Sequence, residues 1–121
     1  MNKRQIGAEQ ESAACAYLEQ NGVTIVERNY RTRRGEVDLI VLHEGYLVFV
    51  EVKYRAGADC GFPEEAVTAA KQRTICKVAE WYLYTHGTIM EQAPHGVRYD
   101  VIAILGAQVR WIQNAFDHRT C

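Results

Sequence analysis

The sequence has no excess of charge of either sign, because 14 Lys and Arg residues nearly balance 15 Asp and Glu residues to give a net charge of −1. This balance gives no global attraction to nucleic acid or to an anionic membrane, so any such affinity needs a local patch. No apolar run approaches the ~20 residues that a membrane span needs. The polar N-terminal segment also lacks the apolar core of a signal peptide. We therefore expect a protein without a membrane partner.

Cysteine motifs are missing as well. Cys15, Cys60, Cys76 and Cys121 contain no CxxC pair, and they combine with the four histidines in no zinc-like pattern. We expect reduced thiols in a cytoplasmic protein. There are no repeats or low-complexity tracts, and 121 residues with 48% hydrophobic content indicate one domain over residues 1–121.

Hydrophobic periodicity predicts a mixed α/β domain with both helices packed on the sheet. The predicted order is a helix over residues 5–21, strands over 23–30, 36–42 and 46–54, a helix over 63–86, a strand over 99–105 and an optional strand over 109–116. Pro63 suits a first helical turn, where Glu64 and Glu65 complement the positive helix end. Residues 43–45 fit a three-residue hairpin loop with Gly45 at a position of positive φ. Residues 56–62 and 87–96 are predicted to be loops.

Two carboxylates and a lysine lie near the ends of two predicted apolar strands. Asp38 is on the first strand of the predicted hairpin, and Glu51 and Lys53 are at the end of the second. Acids and lysines are rarely buried without a partner or a metal. Two carboxylates, completed by water and a substrate phosphate, commonly hold Mg²⁺, and a nearby lysine can orient the attacking water. From spacing alone, an ordinary ion pair with Lys53 explains the pattern equally well.

Strand alternation predicts how these side chains are presented. Asp38 is expected on the face opposite Val37 and Leu39, and Glu51 shares a face with Lys53 on the neighbouring strand. If the polar side chains of both strands lie on the same side of the sheet, Asp38, Glu51 and Lys53 come close together.

Glu11 on the first helix is a further candidate. At ~100° per residue it lies within about 60° of Ala14 and 20° of Leu18, on the packed face. A carboxylate there is costly unless it is paired or linked to a metal. Glu11 is therefore predicted to bind a metal or its water, with an ion pair to an arginine as the alternative.

Basic residues near these strand ends form a candidate patch for a phosphate backbone, whose contacts give affinity without sequence information. Its members are Arg28, Arg31, Arg33, Arg34, Arg55 and, on the long helix, Lys71. A solvated turn with surface arginines is the alternative. Aromatic residues, including Trp81 and Trp111, are expected in the core or on sheet faces. Asp100 is expected to form a structural ion pair with Arg98.

Taken together, several segments resemble the YraN family of small bacterial proteins over nearly the whole chain. They are GEVDLI (35–40), VFVEVKYR (48–55), Glu11-x-x-Ala14-x-x-Tyr17-Leu18, Arg28-Asn29-Tyr30-Arg31, Val67-x-x-x-Lys71 and Arg98-Tyr99-Asp100-Val101. That family is similar to the restriction-endonuclease-like superfamily and to archaeal Holliday-junction resolvases.

The resemblance implies a restriction-endonuclease-like mixed β-sheet flanked by helices. The superfamily site, an acid followed by Glu or Asp, one residue and Lys, carries over to Asp38, Glu51 and Lys53, with Glu11 as the accompanying helical glutamate. Val37 stands where the superfamily often has proline. The resemblance further implies hydrolysis of DNA, rather than RNA, with Mg²⁺ or Mn²⁺, on branched or repair intermediates, and a homodimer as in junction resolvases.

Our hypothesis from the sequence is a metal-dependent nuclease. Asp38 and Glu51 hold the metal, Glu11 assists directly or through water, and Lys53 positions the attacking water. Two alternatives remain: a nucleic-acid-binding module that does not cut, and a subunit of a larger DNA-processing complex. Metal dependence of binding distinguishes the first alternative from a nuclease.

Overall fold

One five-stranded mixed sheet organises the chain in the computed structural model. The structure describes residues 3–55 and 67–118, without the side chains of residues 3–8 and 55. The elements are α1 (Lys3–Gln20), β1 (Thr24–Thr32), β2 (Gly35–His43), β3 (Tyr46–Arg55), α2 (Ala69–Thr85), a 3₁₀ helix (Gly87–Gln92), β4 (Gly96–Leu105) and β5 (Gln108–Ile112).

The strands follow the order β1-β2-β3-β4-β5 across the sheet. Strands β3 and β4 are parallel, and all other neighbours are antiparallel. A parallel pair needs a crossover connection, and α2 is part of the one between β3 and β4. The predicted mixed α/β class and element order are confirmed, including the last strand.

Each face of the sheet is covered by one of the two α-helices in the described part of the chain. On one face, Leu47 and Phe49 of β3 pack with Ile75 and Val78 of α2, in what we call the α2-side core. The opposite face forms the α1-side core, in which Val48 and Val50 of β3 pack with residues of α1 (Ala14, Cys15 and Leu18). The side chains of β3 therefore alternate between two cores, as period-2 alternation requires.

Helix α2 begins at Ala69, so the predicted start at Pro63 is wrong. Thr68 has an extended backbone (φ −67°, ψ 162°), and its side chain accepts a hydrogen bond from the backbone N–H of Lys71. This is the geometry of an N-cap, which ends the helix in the N-terminal direction. The predictions for residues 56–66, including Glu64 and Glu65, otherwise lie outside the described residues.

Other boundaries also differ from prediction. The β2–β3 hairpin has a two-residue turn, Glu44 (φ 49°) and Gly45 (φ 81°), because His43 and Tyr46 already pair. Positive φ at both positions is the requirement of a type I′ turn. A 3₁₀ helix and the start of β4 lie in the predicted loop 87–96, and β5 ends at Ile112 instead of residue 116.

Asp100 forms the predicted ion pair with Arg98, at 2.9 Å. The carboxylate also accepts hydrogen bonds from the indole N–H of Trp111 and the backbone N–H of Asn114. Both of its oxygens therefore have hydrogen-bond partners within the fold. Arg98 in turn contacts His43. Because Asp100 is only 1% exposed, this network is structural.

The core assignment of Trp81 is wrong, since its side chain is 46% exposed. Tyr84, one helical turn later, is 83% exposed and lies 5.9 Å from the Trp81 ring. Cys15 and Cys76 are buried, and neither forms a disulfide with a described residue. Cys60 and Cys121 lie outside the described residues. None of the helices that the structure describes is both long and apolar enough to cross a membrane.

Candidate active site

Strands β2 and β3 separate at Asp38. Their pairing runs from His43 opposite Tyr46 to Leu39 opposite Val50 and goes no further toward the start of β2. Beyond that point, the Asp38 carboxylate accepts a hydrogen bond of 2.7 Å from the backbone N–H of Val52. In a continued β2–β3 ladder, a backbone carbonyl of β2 would accept this hydrogen bond from Val52. The Asp38 carboxylate takes that place and lies between the diverging strands.

The side chains of β2 change faces at the same position. Val37 packs in the α2-side core, whereas Leu39 packs in the α1-side core. The prediction that these two residues share a face is therefore wrong. Next to this irregularity on β1, Asn29 lies between the paired residues Arg28 and Tyr30 and has a φ of 54°. Asparagine tolerates this left-handed conformation better than most residues.

Glu51 extends from β3 toward α2 and is 4% exposed. Lys71 Nζ lies 3.4 Å from Glu51 Oε2. This contact does not have hydrogen-bond geometry, so Oε2 is a buried oxygen without a hydrogen-bond partner among the described residues. Burial, followed by the hydrogen bond to Asp38 and its charge, raises the pKa of Glu51 to about 8, although Lys71 and Lys53 act in the opposite direction. The Asp38–Glu51 pair thus keeps a proton at neutral pH.

Glu11 approaches Asp38 from the α1 side of the sheet. Asn29 donates a hydrogen bond of 2.7 Å to Glu11 Oε1, and Arg28 Nε lies 3.6 Å from the same oxygen. Burial and the charge of Asp38 raise the pKa of Glu11, whereas Arg28 and Asn29 lower it. The predicted alternative of an arginine pair is therefore observed, and Glu11 also interacts electrostatically with Asp38.

Asp38 interacts with a carboxylate on each side of the sheet, with Glu51 on the α2 side and with Glu11 on the α1 side. Within residues 3–55 and 67–118, no three His, Cys, Asp or Glu side chains are arranged as a metal-binding group. Asp38 and Glu51 alone nevertheless suit a hard cation, because they offer adjacent carboxylates and a buried oxygen that lacks a partner. Two protein carboxylates with water and substrate phosphate are a common Mg²⁺ ligand set.

Two lysines accompany the carboxylates. Lys53 is half-buried, and its charge acts to lower the pKa of Glu51. Lys71 was predicted to extend the phosphate-binding patch, but it contacts Glu51 directly with a side chain that is 34% exposed. This contact was not predicted because it depends on how α2 packs against β3. Asn29 was missed because its role depends on backbone conformation.

The predicted basic residues lie in different local settings. Arg28 contacts Glu11, and Arg31 donates a hydrogen bond of 2.8 Å to Glu36. Arg33 and Arg34 are exposed in the turn between β1 and β2. The side chain of Arg55 lies outside the described residues.

Comparisons with known proteins agree on one family. A model of "Uncharacterised protein family UPF0102" matches residues 10–104. A UPF0102 protein of Lachnoclostridium phytofermentans is 47% identical over 117 residues, which cover 97% of each chain. A UPF0102 protein of Cytophaga hutchinsonii is 44% identical over 109 residues, which cover 90% of this chain and 92% of that protein.

Among solved structures, SfsA of Pyrococcus furiosus in complex with Ca²⁺ is similar to this chain with a TM-score of 0.37 and 15% identity. The match covers 93% of this chain and 64% of SfsA, which is too loose a likeness to support a shared activity. The sequence relatives and the family match, in contrast, span most of the chain and confirm the resemblance drawn from its motifs. The chain belongs to the UPF0102 family, the family of YraN.

Proposed function

We propose that this protein is a divalent-metal-dependent nuclease that hydrolyses phosphodiester bonds in DNA. The observation that carries this proposal is Glu51, a carboxyl group buried beside Asp38 with one oxygen that lacks a hydrogen-bond partner in the described part of the chain. Such an arrangement costs stability in an empty site, and strongly perturbed carboxyl pairs are typical of functional sites. A purely structural network would satisfy this oxygen, as the fold does at Asp100.

Asp38 and Glu51 are the residues that would hold Mg²⁺ or Mn²⁺. When bound, the cation would polarise the scissile phosphate and offset the charge that develops during hydrolysis. Lys53 would orient the attacking water and stabilise negative charge near it. Glu11, held by Asn29 and Arg28, would bind water next to Asp38.

The exposed arginines of the β1–β2 turn, Arg33 and Arg34, would contact the phosphate backbone. Their contacts favour DNA binding that is independent of base sequence and weakens with salt. Arg55 and Lys71 would add positive charge near the site. The cytoplasmic location and the homodimer stay predictions from the sequence.

A cleavage panel tests the proposal. Labelled duplex, single-stranded and branched DNA are incubated with the protein in Mg²⁺, in Mn²⁺ and in excess EDTA. We expect cleavage of at least one DNA class with either cation and none in EDTA. Intact DNA in every lane with a cation, from protein whose folding is verified by circular dichroism, would exclude a nuclease. Cleavage that persists in EDTA would exclude metal dependence.

A further inference from the structure

A cavity of about 390 Å³ lies between the β1–β2 turn and α2. Among the described residues it is lined by Thr32, Arg33, Arg34 and Trp81, and we call it the Trp81 cavity. Its volume falls within the ~300–1,000 Å³ of ordinary small-ligand pockets. It combines the accessible indole of Trp81 with the exposed arginines Arg33 and Arg34. None of these three residues contributes to the proposed chemistry at Asp38 and Glu51.

The walls of the Trp81 cavity are fixed by a close approach of the turn to the helix. A Cβ atom on Gly35 would lie 2.4 Å from Thr74 Cγ2, so only glycine permits this packing. The turn itself is braced because the backbone N–H of Arg34 donates to the Thr32 hydroxyl at 3.0 Å. The position of Trp81 beside the arginines is therefore built into the fold.

The arginines of the cavity are available to a ligand. Arg31 pairs with Glu36, but Arg33 and Arg34 form no ion pair with any residue in the described ranges. Guanidinium groups bind phosphate with directed hydrogen bonds, and an exposed aromatic ring offers a surface on which a base can stack. The Trp81 ring is thus suited to the base of a nucleotide, and the two arginines are suited to its phosphate.

Helix α2 contacts both the Trp81 cavity and the carboxylate pair, through Trp81 and Lys71 respectively. Lys71, which contacts Glu51, and Trp81 fall within about 80° of each other around the helix and about 15 Å apart along its axis. Thr74 and Val78 lie between them and face β2 at Gly35. At ~3.4 Å per nucleotide of a duplex strand, this distance corresponds to about four nucleotides. A DNA strand of this length is therefore long enough to reach both places.

We propose, on the basis of the proposed nuclease function, that the Trp81 cavity binds an unpaired nucleotide at a junction between duplex and single-stranded DNA. Trp81 stacks on the base, and Arg33 and Arg34 contact its phosphate. A base in an intact duplex is stacked on its neighbours and cannot offer this face. The substrate class is then DNA with a single-stranded arm close to the site of cutting.

Fluorescence anisotropy in EDTA measures this binding without cleavage. A forked DNA and a blunt duplex of equal length are titrated with wild-type protein, Trp81→Ala and Trp81→Phe. Because stacking of one base contributes ~1–3 kcal/mol, Trp81→Ala is expected to weaken binding to the fork about tenfold. We expect no change with the blunt duplex, and Trp81→Phe should retain most of the affinity because phenylalanine also stacks.

Charge controls separate a local contact from general attraction. Arg33→Ala and Arg34→Ala are compared with Arg110→Ala, which removes an exposed arginine from β5 at the opposite edge of the sheet. Only the two turn variants are expected to weaken binding to the fork. Equal affinity of Trp81→Ala and wild type for the fork overturns the inference, as does equal weakening by Arg110→Ala.

The outcome is separable from that of the nuclease proposal. If the wild type cuts no DNA but binding to the fork depends on Trp81, the cavity binds DNA and the nuclease proposal fails. If cleavage depends on Asp38 but binding to the fork does not depend on Trp81, the cavity inference alone fails.

Discussion

Asp38→Asn is expected to reduce metal-dependent cleavage of DNA by about a thousandfold. The substitution removes the charge that would hold the cation together with Glu51. The amide oxygen of asparagine can still accept the hydrogen bond from the Val52 backbone N–H, so the separation of β2 and β3 is preserved. The loss should therefore be in activity, with an unchanged circular dichroism spectrum.

Lys53→Ala is measured in the same single-turnover assay, with an expected loss of about a hundredfold. Asp117→Asn makes the same chemical change as Asp38→Asn at an exposed position and should cleave like wild type. If Asp38→Asn and Lys53→Ala both cut at the wild-type rate, a contaminating nuclease is the better explanation of any cleavage.

Glu51→Gln is expected to stabilise the protein without metal by on the order of 3 kcal/mol at pH 7. In the folded protein, burial and Asp38 raise the pKa of Glu51 to about 8, from an ordinary value of 4.5. Ionisation of the Glu51 carboxyl group at pH 7 therefore costs free energy in the folded protein but not in the unfolded chain. Glutamine keeps the shape of the protonated form and cannot ionise.

The sign of the effect sets its pH dependence. Between pH 4.5 and 8 the folded protein binds more protons at Glu51 than the unfolded chain, so this group lowers stability as the pH rises. Urea denaturation should therefore give nearly equal stability for wild type and Glu51→Gln at pH 4.5, and a difference that grows up to about pH 8. Glu91→Gln, on the 3₁₀ helix, is the exposed control. A difference that does not change with pH would contradict a raised pKa at Glu51.

Patterns local in sequence predicted much of the fold. The alternation on β3 correctly placed Phe49 and Glu51 on one face, because the pairing of this strand with β4 is regular from Tyr46 to Arg55. The same rule failed on β2, where Val37 and Leu39 enter different cores. That change of face depends on the separation of two strands and on the left-handed backbone of Asn29, which no periodicity encodes.

The site was predicted in part for a similar reason. Asp38, Glu51 and Lys53 were found because charged residues ending apolar strands are unusual. The exposure of Trp81 and the contact between Lys71 and Glu51 were not predicted, since both depend on how α2 lies across the sheet. The N-cap at Thr68 and the contact between Lys71 and Glu51 both had to be read from the structure.

Calorimetric titration with Mn²⁺ at pH 7 tests most directly whether Asp38 and Glu51 form a metal site. Repeating the titration in two buffers of different ionisation enthalpy also counts the protons released. Wild type is expected to bind Mn²⁺ and to release about one proton, because Glu51 must ionise to act as a ligand. Asp38→Asn should lose this binding, whereas Asp117→Asn should retain it. Equal Mn²⁺ binding by wild type and Asp38→Asn, or binding without proton release, would contradict the metal site.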